Sequence, residues 1–185
     1  MTERAEIAAA VEELVRLRKE YFRLEFDEDN EEEFAGPASA LQIHAIQERL
    51  GRPVPPTYRA FLELHGGWKN FAADSALLSA ADYEEGWVRE RLADLNDLFG
   101  EFESDNPVQD WGFPILLGAT GRMSLFLDKR SARPDGELDY VYYDATEEQE
   151  RFGSFLDFLN DKITTAKSLI ERTSKKNKKK KPAKR

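Results

Sequence analysis

Apolar residues recur at helical spacing in five stretches of the chain, and each stretch predicts an amphipathic helix. These stretches cover residues 6–26, 39–50, 56–65, 80–102 and 154–170. Helix-capping and helix-breaking residues in the sequence agree with these limits. Ser39 and Gln42 have the spacing of a capping box, Pro56 suits a first helical turn, and Gly51 suits a helix end.

From Trp111 onward the apolar period shortens to two, which predicts strands over residues 113–117, 123–127 and 138–143. The short apolar run at residues 76–78 fits either an edge strand or a turn. Helices followed by a meander of strands and a closing helix indicate an α+β fold, in which helices cover an antiparallel β-sheet. We expect Phe61, on the helix that follows Pro56, to be buried against this sheet.

The stretch around the third helix carries the most specific motif. Residues 54–62 read Val-Pro-Pro-Thr-Tyr-Arg-Ala-Phe-Leu, and His65-Gly66-Gly67 follows. This resembles the Leu-Pro-x-x-Tyr-x-x-Phe-Leu…Asn-Gly-Gly signature of the SUKH superfamily, with Val54 in place of Leu and His65 in place of Asn. Further segments similar to that family lie at residues 111–112, 125–128, 140–144 and 155–159. The resemblance covers about residues 38–165 and implies a single SUKH-like domain.

These features divide the chain into three parts. Residues 1–35 form an N-terminal helix and an acidic loop, residues 36–172 form the SUKH-like (Smi/Knr-like) domain, and residues 173–185 form a Lys-rich tail. The acidic run at residues 27–33 lacks the spacing of a calcium loop, so we interpret it as a solvated loop. We predict that residues 174–185 are disordered, because eight like charges in twelve residues repel one another.

Composition and charge limit the kinds of partner and the cellular compartment that fit this sequence. The formal net charge is −9, but residues 174–185 hold eight Lys or Arg and no acid, which leaves 19 basic and 36 acidic residues in the remainder. The body of the protein therefore carries a charge of about −17, which repels nucleic acid and attracts basic partners. The chain has no cysteine, no signal-peptide pattern at its start and no membrane-length apolar run, so we expect a cytoplasmic protein.

Residues suited to catalysis or metal binding are scarce. There is no Gly-x-Ser-x-Gly motif, no phosphate-binding loop and no cysteine. The two histidines are His44, expected on a helix surface, and His65, expected at a helix end. We therefore predict no cofactor and no metal site. The resemblance to the SUKH superfamily implies a protein that is not an enzyme; the third hypothesis, an enzyme, would require a clustered pair of titratable groups with perturbed pKa values in a deep pocket.

The family resemblance implies a binding domain. Bacterial members commonly act as immunity proteins that bind and neutralise a cognate toxin, often a nuclease, while the fungal Smi/Knr branch acts in regulation or as a scaffold. The acidic body independently favours a basic protein partner. The candidate partner-binding residues are Glu84, Glu85, Asp94 and Asp97, with Trp87 or Trp111 as an apolar anchor. We expect no membrane partner, and nucleic acid only through the Lys-rich tail, which is otherwise a solubilising end.

Overall fold

The computed structural model describes residues 2–72, 74–102, 105–119 and 122–180. The helices are α1 (Glu3–Phe26), α2 (Ala40–Leu50), α3 (Pro56–His65), α4 (Gly86–Glu101) and α5 (Phe155–Lys180). The strands are β1 (Trp68–Ala72), β2 (Ser75–Leu77), β3 (Gly112–Gly118), β4 (Met123–Asp128), β5 (Asp139–Asp144) and β6 (Glu147–Phe152). The chain forms two compact units, one of Met1–Glu31 with Leu156–Arg185 and one of Glu32–Phe155.

The second unit contains one antiparallel sheet in which every strand pairs with its neighbour in sequence, in the order β1-β2-β3-β4-β5-β6. The predicted α+β class and the three predicted strands are confirmed at β3, β4 and β5. The run at residues 76–78 belongs largely to β2, which lies inside the sheet rather than at its edge. Strands β1 and β6 were not predicted from the sequence. Charged residues fill β6, and pairing with β5 rather than burial defines it.

Helices cover both faces of the sheet. On one face, Val88, Leu95 and Phe99 of α4 belong to a buried cluster with strand residues such as Phe126 and Val141. On the other face, Tyr140 of β5 has its ring 6.0 Å from that of Phe155, whose ring also contacts those of Tyr58 and Phe61 of α3. Consecutive residues of β5 are buried because their side chains point alternately to the two faces of the sheet, and helices cover both faces.

The first turn of α3 is capped by a residue distant in sequence. Its N-cap is Pro55, which offers no side-chain oxygen. Instead, the Glu137 carboxylate accepts a 2.7 Å hydrogen bond from the Thr57 backbone N–H and a 3.1 Å bond from the Tyr140 hydroxyl. The Thr57 hydroxyl oxygen in turn accepts a 2.9 Å bond from the N–H of Phe155, the first residue of α5. Burial raises the pKa of Glu137, although these hydrogen bonds oppose the shift.

The other end of α3 requires both signature glycines. Gly66 has a φ of +66°, and a Cβ there would lie 2.0 Å from the carbonyl oxygen of Gly36. A Cβ on Gly67 would lie 2.9 Å from the backbone nitrogen and the Cβ of Ser79. The segment before α2 and the segment after β2 therefore approach the helix end as closely as glycine allows.

Part of the acidic run is fixed in the second unit, which corrects the interpretation of residues 27–33 as a wholly solvated loop. The Trp68 indole N–H donates a 2.8 Å hydrogen bond to the Glu32 carboxylate, and the Lys69 N–H donates a 2.8 Å bond to the Glu33 carbonyl. The following Phe34 forms a β-bridge with Trp68. The end of the acidic run is thus attached to β1 by backbone and side-chain contacts.

In the first unit, α1 and α5 lie side by side. Glu13 pairs with Lys167, and further along both helices Glu25 pairs with Lys176. The helix continues to Lys180, so the predicted disorder is wrong for residues 174–180, while residues 181–185 lie outside the described residues. Contacts with α1 offset the repulsion that motivated the prediction: besides the Lys176 pair, the Asn177 amide donates a 2.9 Å bond to the Leu24 carbonyl.

Replacing Phe61 tests the core beneath α3. Phe61 is 0% exposed, which confirms its predicted burial. We expect Phe61→Ala to lower the free energy of unfolding by roughly 3–5 kcal/mol, the usual cost of truncating a buried phenylalanine. Leu41→Ala, at an exposed apolar position of α2, serves as the control and should change it by no more than about 0.5 kcal/mol. Urea unfolding followed by tryptophan fluorescence measures both, and equal effects would contradict the burial.

Glu137 provides a second test, in which pH separates charge from hydrogen bonding. Glu137→Ala leaves the Thr57 N–H and the Tyr140 hydroxyl without this acceptor, so it should cost roughly 2–5 kcal/mol. Glu137→Gln keeps an acceptor for Thr57 and should be much milder.

The sign of the pH effect follows from the raised pKa. The folded protein holds the Glu137 proton more tightly than the unfolded chain, so the contribution of this group to stability falls as pH rises above 4.5. Glu137→Gln should therefore gain on the wild type in urea titrations as pH rises from 4.5 through the raised pKa of the folded protein. A difference independent of pH would contradict the assignment.

Candidate functional site

Four carboxylates form a continuous exposed stripe along α4. Glu90, Asp94, Asp97 and Glu101 follow one another at i, i+4, i+7 and i+11, which places them on one side of the helix, and all four are exposed. The buried residues of α4 lie on its other side. We call these four residues the α4 acidic stripe. Two of its members, Asp94 and Asp97, were predicted from the sequence as partner-binding residues.

The other two predicted acids lie just before α4 and are not part of this stripe. Glu84 ends a short 3₁₀ helix and forms an ion pair with Arg49 of α2. Glu85 is the N-cap residue of α4 and is exposed. The Arg49 guanidinium also lies 6.0 Å from the centre of the Tyr83 ring, so Glu84 belongs to a contact between α2 and the start of α4. Substituting Glu84 would disturb that contact as well as the binding of any partner.

The structure corrects one of the two predicted anchors. Trp111 is 1% exposed and belongs to the core cluster beneath α4, so it offers no surface to a partner. Its ring is also covered by the Arg130 guanidinium, at 4.3 Å from the ring centre. Trp87 packs against the same cluster but remains partly exposed.

A more exposed aromatic residue, Phe102, was not among the residues predicted from the sequence. Its side chain is 63% exposed at the C-terminal end of α4, directly after the acidic stripe. Its spacing from Phe99 would continue the buried face of the helix. The helix ends at Glu101, however, and Phe102 is its C-cap residue, with a φ of −98° and a ψ of 4°. No signal in the local sequence marks this exposure.

A second charged group surrounds Asp128, at the end of β4. The Asp128 carboxylate is buried and accepts hydrogen bonds of 3.0 Å from the side chains of both Arg130 and Arg151. Burial alone would raise the pKa of Asp128, but the bonds from Arg130 and Arg151 outweigh it and hold the pKa below its ordinary value. Arg130 also reaches Asp105, and Arg151 reaches Glu148. This network joins β4, β6 and the segment before β3.

Among the residues described by the structure, no three His, Asp or Glu side chains cluster in a way that could hold a metal ion. His44 is exposed beside Glu48, and His65 contacts the rings of Phe34 and Phe61. Within the same described ranges, no helix is both long and apolar enough to cross a membrane.

The arrangement of helices and strands is that of an α+β domain, in which helices cover one antiparallel sheet. The sequence profile of the SMI1 / KNR4 family (SUKH-1) matches residues 37–161, and the chain belongs to that family. The match begins just before the capping box of α2 and ends within α5, so α1 precedes it. Comparison with curated protein sequences gives no significant match. Membership of this family is consistent with a binding domain that does not catalyse a reaction.

The contribution of the Asp128 network to stability can be tested by lowering the pH. Because the folded pKa of Asp128 is lowered, its contribution to stability is present above the ordinary value of 3.8 and is lost as pH falls below it. At pH 7, Asp128→Asn should lower the free energy of unfolding by about 1–3 kcal/mol, since it weakens hydrogen bonds from two arginines.

The matched control is Asp105→Asn, which also removes a partner of Arg130 but at an exposed position, and it should cost less than about 1 kcal/mol. Urea unfolding of both variants at pH 7 and pH 3.5 measures the effects. The prediction fails if the Asp128→Asn defect does not shrink on acidification, or if both variants lose the same stability.

Proposed function

We propose that this protein is a non-enzymatic immunity protein that binds and neutralises a cognate basic toxin through the α4 acidic stripe. Its membership of the SMI1 / KNR4 family (SUKH-1) is the observation that carries this proposal. The geometry of α4 supports it, because the four carboxylates are exposed on one side of a helix whose other side is buried. A partner can therefore contact the stripe without disturbing the core.

Charge supports a basic partner. Residues 1–173 carry a charge of about −17, so a cationic protein is attracted before contact. A toxin that cleaves nucleic acid needs a basic cleft for the phosphates. A helix with regularly spaced carboxylates can occupy such a cleft, because its negative charges resemble those of the phosphates. This attraction acts over a Debye length of about 8 Å at physiological ionic strength, so added salt should weaken it.

Phe102 and Trp87 are the apolar residues suited to complete this surface. Phe102 follows directly after Glu101 and is exposed, and Trp87 lies in the first turn of α4 and is partly exposed. Aromatic side chains at the centre of an interface commonly contribute most of the binding free energy, while surrounding charges increase the association rate. In this proposal Phe102 takes the place that the sequence analysis gave to Trp111.

Family membership also fits a second function, a Smi/Knr-like regulatory or scaffold domain. The same acidic surface would then bind a cellular protein rather than a toxin. The two functions differ in one result: only an immunity protein restores growth to cells that express the cognate toxin.

The decisive experiment reverses the stripe. Glu90, Asp94, Asp97 and Glu101 are each replaced by Lys, and the control replaces four exposed acids elsewhere, Glu12, Glu28, Glu147 and Glu150. Both variants change the net charge equally. We expect the stripe variant to associate at least about tenfold more slowly with a basic toxin domain that the wild type binds, whereas the control should be slowed much less, because close charges dominate steering.

Surface-immobilised binding between 50 and 300 mM salt gives the association and dissociation rates, and a growth-rescue assay reports neutralisation. The association rate of the wild type should fall with salt while its dissociation rate changes less. Equal slowing of both variants would move the interface away from α4. Binding without growth rescue would favour the regulatory function, and a salt-independent association rate would exclude the electrostatic mechanism.

A further inference from the structure

We propose that the C-terminal part of α5, residues 172–180, is a separate binding site for the phosphate backbone of nucleic acid, without preference for sequence. This inference is independent of the proposed function, because it uses no residue of α4 and no toxin. It arises from a feature that the acidic binding surface leaves unexplained. The chain concentrates six basic residues in the last nine described positions of a helix, in a protein that is otherwise strongly acidic.

The helix gives the cations of residues 172–178 an ordered arrangement. One side of the segment is attached to α1: the Thr173 hydroxyl donates a 3.1 Å bond to the Glu25 carboxylate, and Asn177 donates to the Leu24 carbonyl. Arg172, Lys175 and Lys178, at intervals of three residues, are exposed. A preformed helix loses less conformational entropy on binding than a disordered tail of the same composition.

The ion pairs within the segment leave it available to a phosphate. Lys175 pairs with Glu171 at i,i+4, and both side chains are about two-thirds exposed, so the pair is weak and can be exchanged. Lys176 pairs with Glu25, and this hydrogen bond raises the pKa of the lysine. Over residues 171–180 one acid faces six bases, so the net charge of the segment stays strongly positive.

The composition of the segment favours nucleic acid over a lipid surface. Residues 172–180 contain only Arg, Lys, Ser, Thr and Asn, so there is no apolar face to insert among acyl chains. All five residue types donate hydrogen bonds to phosphate oxygens. There is also no aromatic residue on which a base could stack, which favours the charge-dense duplex over a single strand.

Fluorescence anisotropy of a labelled 20-base-pair DNA duplex of arbitrary sequence, titrated with the full chain, tests the proposal. We expect binding at 50 mM salt that weakens steeply towards 200 mM. Replacing Arg172, Lys175 and Lys178 with Gln should weaken binding at least about tenfold. It should also reduce the slope of log K against log salt by about two to three, because each phosphate that a side chain neutralises contributes close to 0.9 to that slope.

The matched control replaces three exposed cations elsewhere, Lys19, Lys69 and Arg89, with Gln, and should bind within about twofold of the wild type. The single variant Lys178→Gln changes one exposed side chain, so it guards against misfolding of the triple variant, and it should reduce the slope by about one. Unchanged urea midpoints show that both α5 variants are folded.

Four results would overturn the proposal. The first is a wild-type chain that does not bind the duplex at 50 mM salt. The second is a control that loses as much affinity as the α5 triple variant, since the effect would then be one of net charge. The third is preferential binding to vesicles containing phosphatidylserine, which would assign the segment to a lipid surface. The fourth is a salt-sensitive dimer in sedimentation, which would assign the segment to a second copy of the chain.

Discussion

The capping of α3 by Glu137 is the interaction on which the second unit most depends. One carboxylate accepts the Thr57 N–H at the start of the helix and the Tyr140 hydroxyl in the sheet, while Thr57 itself accepts the first N–H of α5. A loop, a helix, a strand and the start of the last helix thus meet at one buried acid. Burying this carboxylate is unfavourable in itself, and only the complete set of hydrogen bonds offsets that cost. The site therefore favours one arrangement of these elements over alternatives.

Local patterns predicted the elements, whereas contacts between distant residues did not follow from them. The capping box of Ser39 and Gln42 and the three strands from Gly112 to Asp144 depend on neighbouring residues, and all are present. Glu137 lies 80 positions from Thr57, and no periodicity connects them. Likewise, β6 has a charged sequence and becomes a strand only because β5 supplies a partner edge. The helical end of α5 likewise depends on distant partners in α1, the Glu25 carboxylate and the Leu24 carbonyl.

The candidate site shows the same division. Spacing alone predicted that the acids of residues 80–102 lie on a helix surface, because charged residues opposite an apolar face remain in water. It could not predict that Glu84 pairs with Arg49, or that Trp111 lies in the core while Phe102 is exposed. An aromatic residue fits a core and an interface equally well, and its placement is decided by where the helix ends and which strands pack beneath it.

The residues that define the family and those proposed to bind a partner are different sets. Tyr58, Phe61 and Leu62 of the signature are fully buried, and Gly66 and Gly67 are fixed by close backbone approach. The α4 acidic stripe is exposed and lies outside that signature. Exposed charges can change with effects on stability within about 0.5 kcal/mol, whereas the signature residues cannot. Under the proposed function, the same fold can therefore accept new partners through changes on the surface of α4, while the buried signature residues stay the same.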